Sequence, residues 1–269
     1  MKVAALQYTA SADLDANLAK LESMLKTCYQ TKVDLCLLPE NFALMPVSSS
    51  QKLAIQEPHQ KGRVHEWLTK MSAKFGLYLI AGSFPVASSD PKRPYARCLV
   101  YDNTGHLISY YDKIHLFDVG VAANESYCES ADTMAGTNPV IVDIKGFKVG
   151  LSICYDLRFP ELYRYYQTQG VELIVAPSAF TYVTGKAHWD TLLKARAVEN
   201  LCYLLAANQT GVHDNERRTY GHSKIIDPWG ADLIQLTEEE GVISHQLSKG
   251  LITSIRQRFP AHTHTVNFL

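Results

Sequence analysis

Three chemically active side chains each follow an apolar run that reads as a strand. Glu40 ends Leu35-Cys-Leu-Leu-Pro-Glu40, Lys113 follows Tyr110-Tyr-Asp112, and Cys154 ends Leu151-Ser-Ile-Cys154. The segment from Gly146 to Arg164 passes from strand-like to helix-like within a few residues of Cys154, which places the thiol at a tight strand-to-helix turn. Backbone N–H groups at a helix start favour thiolate over thiol and can hold an oxyanion. A cysteine more acidic than the free value of about 8.5 is therefore expected. A carboxylate and an ammonium beside it supply a base and a cationic neighbour, the two groups that activate a thiol as nucleophile.

Such residues need a frame that gathers strand ends. The apolar periods predict strands over 2–8, 33–38, 77–84 and 171–176, and helices over 13–30, 62–75, 161–169 and 188–199. Leu14, Leu18, Leu21 and Leu25 mark the buried stripe of the first helix. Hairpins are expected for 97–101 with 107–111, for 140–144 with 147–153, and for 223–226 with 231–235, each around a Gly-containing turn. Further strands are read at 201–207 and 242–246, with a polar loop between 208 and 218, a short helix over 249–256 and an irregular tail from 260. Alternating strands and helices imply an α/β fold with a mixed sheet covered by helices. The C-terminal strand edges of such a sheet are where sites assemble. No linker or repeat divides the chain, so one domain over 1–269 is expected.

Composition narrows the partners. With 269 residues and 46% hydrophobic content the chain can bury a large core, and a net charge of −1 offers no basic excess for nucleic acid or an anionic membrane. No apolar run approaches a membrane span, and no charged leader precedes a long apolar stretch, so a signal peptide is not expected. Six scattered cysteines without a Cys-x-x-Cys pair suit a reducing compartment, and the cytoplasm is the expected location.

Pro39-Glu40, Asp112-Lys113-Ile-His-Leu116 and Ile153-Cys154-Tyr-Asp-Leu-Arg158-Phe-Pro-Glu161, in that order, together with Pro177-Ser-Ala-Phe180 and Tyr220-Gly-His-Ser223, resemble the catalytic segments of the nitrilase (carbon–nitrogen hydrolase) superfamily. The resemblance runs from the first strand to about Arg258. It implies a four-layer α-β-β-α sandwich and a homodimer. It also implies a mechanism in which Glu40 takes the Cys154 proton while Lys113 and the Tyr155 N–H hold the oxyanion. Glu129, in Tyr127-Cys-Glu-Ser130, matches a second glutamate that orients Lys113. Arg158 is the expected cation for a substrate carboxylate, and Phe180 and Thr181 the expected pocket wall. No metal or cofactor is implied.

The stretch from Phe180 to Trp189, followed by Leu192–Glu199 and the loop from Gly211 to His222, resembles the branch that cleaves the amide of deaminated glutathione to 2-oxoglutarate and cysteinylglycine. The branch acting on the ω-amide of 2-oxoglutaramate shares Ser178-Ala-Phe180 and Thr184-Gly185, and nitrile or carbamoyl substrates are further alternatives. Asn41–Met45 and Gly120–Asn124 carry no pattern of one branch. A binding scaffold without catalysis would have lost Glu40, Lys113 or Cys154, and all three are present. Singly, each residue has a plainer reading. Free cysteines are commonly core residues, Lys113 could be a hairpin-end lysine, Glu129 a solvated loop carboxylate, and Arg158 a partner of Glu161. His188, Trp189 and Arg196 read as packing or bridging groups.

Overall fold

Side chains alternate along the first strands between two cores. In Lys2–Gln7 and Leu35–Leu38, Val3, Ala5, Leu35 and Leu37 enter one cluster, and Ala4, Leu6, Cys36 and Leu38 enter another. This is the period of two set by the pleat. Because both faces are covered, the strands are apolar throughout. The computed structural model describes residues 1–122, 125–264 and 266.

The first sheet has the spatial order Gly241–Gln246, Lys2–Gln7, Leu35–Leu38, Tyr78–Val86, Tyr95–Tyr101 and Leu107–Asp112. Its three middle members from Lys2–Gln7 to Tyr78–Val86 run parallel and the remaining pairs antiparallel. The second sheet has the order Asp232–Gln235, Lys224–Ile226, Tyr203–Asn208, Leu173–Ser178, Phe147–Leu151 and Ile141–Ile144. Ile80, Cys98 and Val100 of the first sheet share a cluster with Val149, Leu151 and Val175 of the second, so the sheets stack face to face. Helices Leu14–Gln30 and Arg63–Phe75 cover the outer face of the first sheet through Leu21, Leu25, Leu68 and Met71. Each fully buried leucine contributes roughly 1.5–3 kcal/mol. Helices Pro160–Thr168 and Asp190–Asn200 cover the second through Leu162, Tyr163, Tyr166, Leu193 and Ala197. The result is the four-layer α-β-β-α sandwich.

Local signals place the ends of these elements. Asp13 Oδ1 accepts from Ala16 N at 3.1 Å and caps the first helix. Gly76, at φ +60°, closes Arg63–Phe75 in the left-handed conformation. The stretch read as a polar loop instead forms the hairpin Thr210–Val212 with Arg218–Tyr220. Two further elements carry no clear signal in the sequence, the helix Ser49–Ala54 and the hairpin Asp118–Ala122 with Glu125–Cys128. Each is too short and too mixed in composition to show a period. The helix expected from His188 begins at Asp190, after a π-helical turn Gly185–Trp189 that seats buried Trp189 with its Nε1 donating to His222 O at 2.8 Å. Gly120 lies in the Asp118–Ala122 strand, while residues 123 and 124 of that expected loop lie outside the described residues. So do residues 265 and 267–269 of the expected tail, whose start forms the turn Ala261–Thr263.

One buried carboxylate joins the two sheets where the strands end. Asp156 Oδ1 accepts from the His115 backbone N at 3.1 Å and from His115 Nδ1 at 2.7 Å. Its Oδ2 accepts from Tyr111 Oη at 2.8 Å and Ile153 N at 2.8 Å. The end of Leu107–Asp112 is thereby tied to the turn that carries Cys154. Arg196 holds the other end of that turn, donating from Nε and Nη2 to Leu157 O at 2.9 and 2.7 Å. Removing the Asp156 carboxylate strands several buried donors, each worth about 1–3 kcal/mol when left unmade. Asp156→Ala is therefore expected to lose at least about 3 kcal/mol of stability in denaturant unfolding, and a loss below about 1 kcal/mol would show that the tie carries no weight.

Candidate active site

The site straddles the two sheets. Glu40 leaves the end of Leu35–Leu38 and Lys113 the end of Leu107–Asp112, both in the first sheet. Cys154 opens the 3-10 turn Cys154–Arg158 after Phe147–Leu151 of the second. Close approach of backbone admits the Glu40 segment, since a Cβ on Gly82 of the neighbouring strand would stand 1.8 Å from Pro39 O. Cys154 has φ +49°, a left-handed conformation that costs a non-glycine residue roughly 1–2 kcal/mol and is held here by the Asp156 and Arg196 bonds. Such strain gathers at functional turns.

Glu40, Lys113 and Cys154 are 5%, 2% and 7% exposed. Lys113 Nζ donates to Glu40 Oε1 at 2.8 Å and to Glu129 Oε1 and Oε2 at 3.1 and 2.8 Å. Glu129, on the short turn Glu129–Ala131, is oriented by the Phe117 N–H at 2.7 Å. Glu40 Oε2 accepts from Ala179 N at 2.9 Å, and the Cys154 thiol lies beside the Glu40 carboxylate, close enough to feel its charge.

The electrostatics of the cluster set its protonation. Burial alone would push the Glu40 carboxyl up, but the charge and hydrogen bond of Lys113, with the Cys154 thiol beside it, bring it below the ordinary glutamate value. Burial would likewise favour a neutral amine at Lys113, and the charges of Glu129 and Glu40 reverse this, raising the ammonium well above its usual range. Burial and the Glu40 charge raise the Cys154 thiol, against the opposing pull of Lys113 and the Ala179 N–H. The expectation of an acidified thiol is therefore corrected. The five-residue turn offers little dipole, and desolvation beside a carboxylate outweighs it. The resting site holds carboxylate, ammonium and neutral thiol.

The cluster opens onto a cavity of about 290 Å³. Tyr155, Phe180 and Thr181 lie on its wall. Arg158 is not among the lining residues. Its Nη1 and Nη2 both stand 3.3 Å from His188 Nδ1, and its guanidinium lies 5.7 Å from the centre of the Phe180 ring. Arg158 makes no ion pair with Glu161 among the described residues; the helix at Pro160 turns the chain away between them. The wall instead carries Arg217 and Asn215, delivered by the hairpin turn between Thr210–Val212 and Arg218–Tyr220, along with Lys52, Asp132 and Cys128. No period or motif sets Arg217 apart from Arg218 beside it. Only the hairpin, which turns one inward and leaves the other exposed against Glu238, distinguishes them.

Among the described residues, no helix is long and apolar enough to cross a membrane. A family model described as carbon-nitrogen hydrolase matches residues 2–257. A Synechocystis protein named deaminated glutathione amidase is 39% identical over 266 residues, covering 98% of this chain and 97% of that protein. Among solved structures, the Caenorhabditis elegans NitFhit protein superposes with a TM-score of 0.91 at 34% identity, covering 98% of this chain, which spans 64% of that longer one. Saccharomyces cerevisiae Nit3, described as a member of branch 10 of the nitrilase superfamily, superposes with a TM-score of 0.87 at 30% identity, covering 97% of this chain and 94% of its own. With the family's match running over nearly the whole sequence and a thiol, a carboxylate and an ammonium converging on one cavity, the chain belongs to the carbon–nitrogen hydrolase (nitrilase) family and is an enzyme that hydrolyses carbon–nitrogen bonds.

Proposed function

We propose that this enzyme is an amidase that cleaves deaminated glutathione to 2-oxoglutarate and cysteinylglycine through a thioester on Cys154. The observation that carries the chemistry is the Cys154 thiol beside, on one cavity wall, a Glu40 carboxylate that is itself held by Lys113 and the Ala179 N–H. The substrate follows from the relatives that bear that name across their full length.

As Cys154 Sγ bonds the amide carbon, its proton passes to Glu40 and the carbonyl π electrons move to oxygen. A thiol raised in this way gives up its proton only as the C–S bond forms, so transfer and attack are coupled. Lys113 and the Tyr155 N–H stabilise the oxyanion beside the buried Glu40 and Cys154, where low local polarity makes such contacts worth most. Glu40 returns the proton to the amide nitrogen as the C–N bond breaks, and cysteinylglycine leaves. Water then enters, Glu40 takes its proton, the hydroxide attacks the thioester, and the C–S bond breaks with the proton restored to sulfur. Glu129 holds Lys113 in place, and Tyr155, Phe180 and Thr181 wall the acyl group.

The same reading takes the chain as one domain and as a homodimer through helices of the second sheet, where Tyr165 and Val198 are 44% and 45% exposed. Sedimentation velocity tests the dimer, and a monomer at micromolar concentration would refute it. Its cysteine usage suits the cytoplasm.

Mass spectrometry of wild type and Cys154→Ala with deaminated glutathione tests the chemistry. Both products from wild type and none from a folded Cys154→Ala are expected, and turnover by the variant would sink the mechanism. Glu40→Gln, which cannot accept the proton, is expected to lose about 10²–10⁴-fold in kcat.

The protonation pattern fixes a pH profile. Glu40 is held below the ordinary glutamate value of about 4.3, so its carboxylate form, and the stability it lends, persist until pH falls through that lowered value. Cys154 and Lys113 are both raised, so neither loses its proton near pH 8.5. kcat/KM is therefore expected to stay level from about pH 5 to about pH 8.5. Alkylation of Cys154 by iodoacetamide that climbs along a titration centred near the free-thiol value would instead identify the thiolate as the reactive form.

A further inference from the structure

Three cations line the cavity, and two are already neutralised. Lys113 lies between Glu40 and Glu129, and Lys52 Nζ stands 2.7 Å from Asp132 Oδ1. Arg217 has no carboxylate within ion-pair distance among the described residues. Its Nη2 donates to Ala179 O, while its Nε is buried and without a partner. The guanidinium carbon sits 5.1 Å from the centre of the Tyr127 ring, a cation–π contact that fixes its plane. Its own backbone is held as well. The Arg217 N–H donates to Asn215 Oδ1 at 3.1 Å, and Asn215 Nδ2 donates to Pro46 O at 3.0 Å on the cavity rim. A guanidinium so placed is preorganised, charged, and short of acceptors, the state in which a planar bidentate acceptor binds best.

We propose that Arg217 binds the carboxylate of the substrate's acyl half, the 2-oxo acid end that becomes 2-oxoglutarate. This rests on the amidase reading above. Ala179 supplies the argument for which end is bound. Its N–H donates to Glu40, and its carbonyl accepts from Arg217. One residue therefore links base and anchor, and Cys154 lines the same cavity beside that base, which sets the guanidinium within a short acyl chain's reach of the thioester carbon. The dipeptide carboxylate lies farther from the scissile bond, beyond the cysteinyl and glycyl units. Arg217 also lowers the Glu40 carboxyl slightly through its charge, and a bound carboxylate offsets that influence while the reaction proceeds. Selection then follows from chemistry. An amide whose acyl chain ends in a carboxylate fills the anchor, and one that lacks it leaves a half-buried charge unpaired.

The test compares wild type, Arg217→Met and Arg217→Lys on deaminated glutathione and 2-oxoglutaramate, which share the acyl half and differ in the leaving amine. Protection of Cys154 from iodoacetamide by 2-oxoglutarate is measured alongside. Arg217→Met is expected to lose at least about tenfold in kcat/KM on both substrates, chiefly through KM, with Arg217→Lys between it and wild type. It should also need at least about tenfold more 2-oxoglutarate for equal protection. Thermal unfolding shows whether each variant is folded, and Arg217→Lys keeps the charge if Arg217→Met does not fold. Equal activity and protection in all three proteins would overturn the proposal, as would a loss confined to deaminated glutathione, which would assign Arg217 to the dipeptide. If wild type hydrolysed neither substrate, the substrate reading would fail on its own. The anchor would then stand if 2-oxoglutarate protected wild type more strongly than Arg217→Met, and fall if it protected both equally or neither.

Discussion

A buried ammonium shared between two carboxylates is the constraint around which this structure is arranged. Lys113 is 2% exposed, and its charge survives there because Glu40 and Glu129 both stand at 2.8 Å. An unpaired ion in that position would carry several kcal/mol of desolvation. Each partner must therefore be held where it is. Glu129 is held by the Phe117 N–H, and Glu40 by the Ala179 N–H and by the close passage of Gly82 under Pro39. The same arrangement keeps the thiol protonated at rest and leaves Glu40 ready to receive its proton.

Because Glu40 and Lys113 come from one sheet and Cys154 from the other, the two sheets must meet in a fixed register at their strand ends. The shared apolar cluster brings the sheets together but is non-directional. Direction comes from Asp156, whose two oxygens bind the Lys113 side and the Cys154 side at once, and from Arg196, which anchors Leu157. His115 adds a flat contact, stacking on Phe159 with ring centres 3.7 Å apart. These bonds hold the left-handed backbone at Cys154. Arg196 read from the sequence as a bridging group, and it bridges, although to a backbone carbonyl beside the nucleophile.

The cavity wall is built differently from the catalytic cluster. The cluster comes from strand ends, whereas much of the wall comes from short pieces such as the Ser49–Ala54 helix, the Glu125–Cys128 strand and the turn holding Asn215 and Arg217. The pieces are fixed to one another by a few side-chain bonds, such as Asn215 to Pro46 and Lys52 to Asp132. Such walls can change residue by residue without disturbing the sheets, which is how one frame serves different substrates.

Long periodic elements were legible because burial on two faces leaves a period that survives in a linear string. The strands ending at Glu40, Lys113 and Cys154 and the leucine stripe of Leu14–Gln30 are of this kind, and local spacing was enough to mark those three catalytic residues, whereas Glu129 was marked by the family resemblance alone. Tyr155, Phe180 and Thr181, which the family resemblance singled out, lie on the cavity wall. What only the tertiary structure decided depends on where chain segments far apart in sequence meet. Arg158 stands four residues after the nucleophile, yet the turn sends it toward His188. Arg217, 59 residues after Arg158, reaches the cavity because a hairpin without periodicity folds back over it. The protonation of Cys154 was decided in the same way. Local sequence predicted a helix-start dipole acting on an open thiol, and packing of the two sheets supplied the burial and the Glu40 charge that outweigh it. Desolvation and long-range pairing arise only when distant segments close on one another, and so no window of neighbouring residues records them.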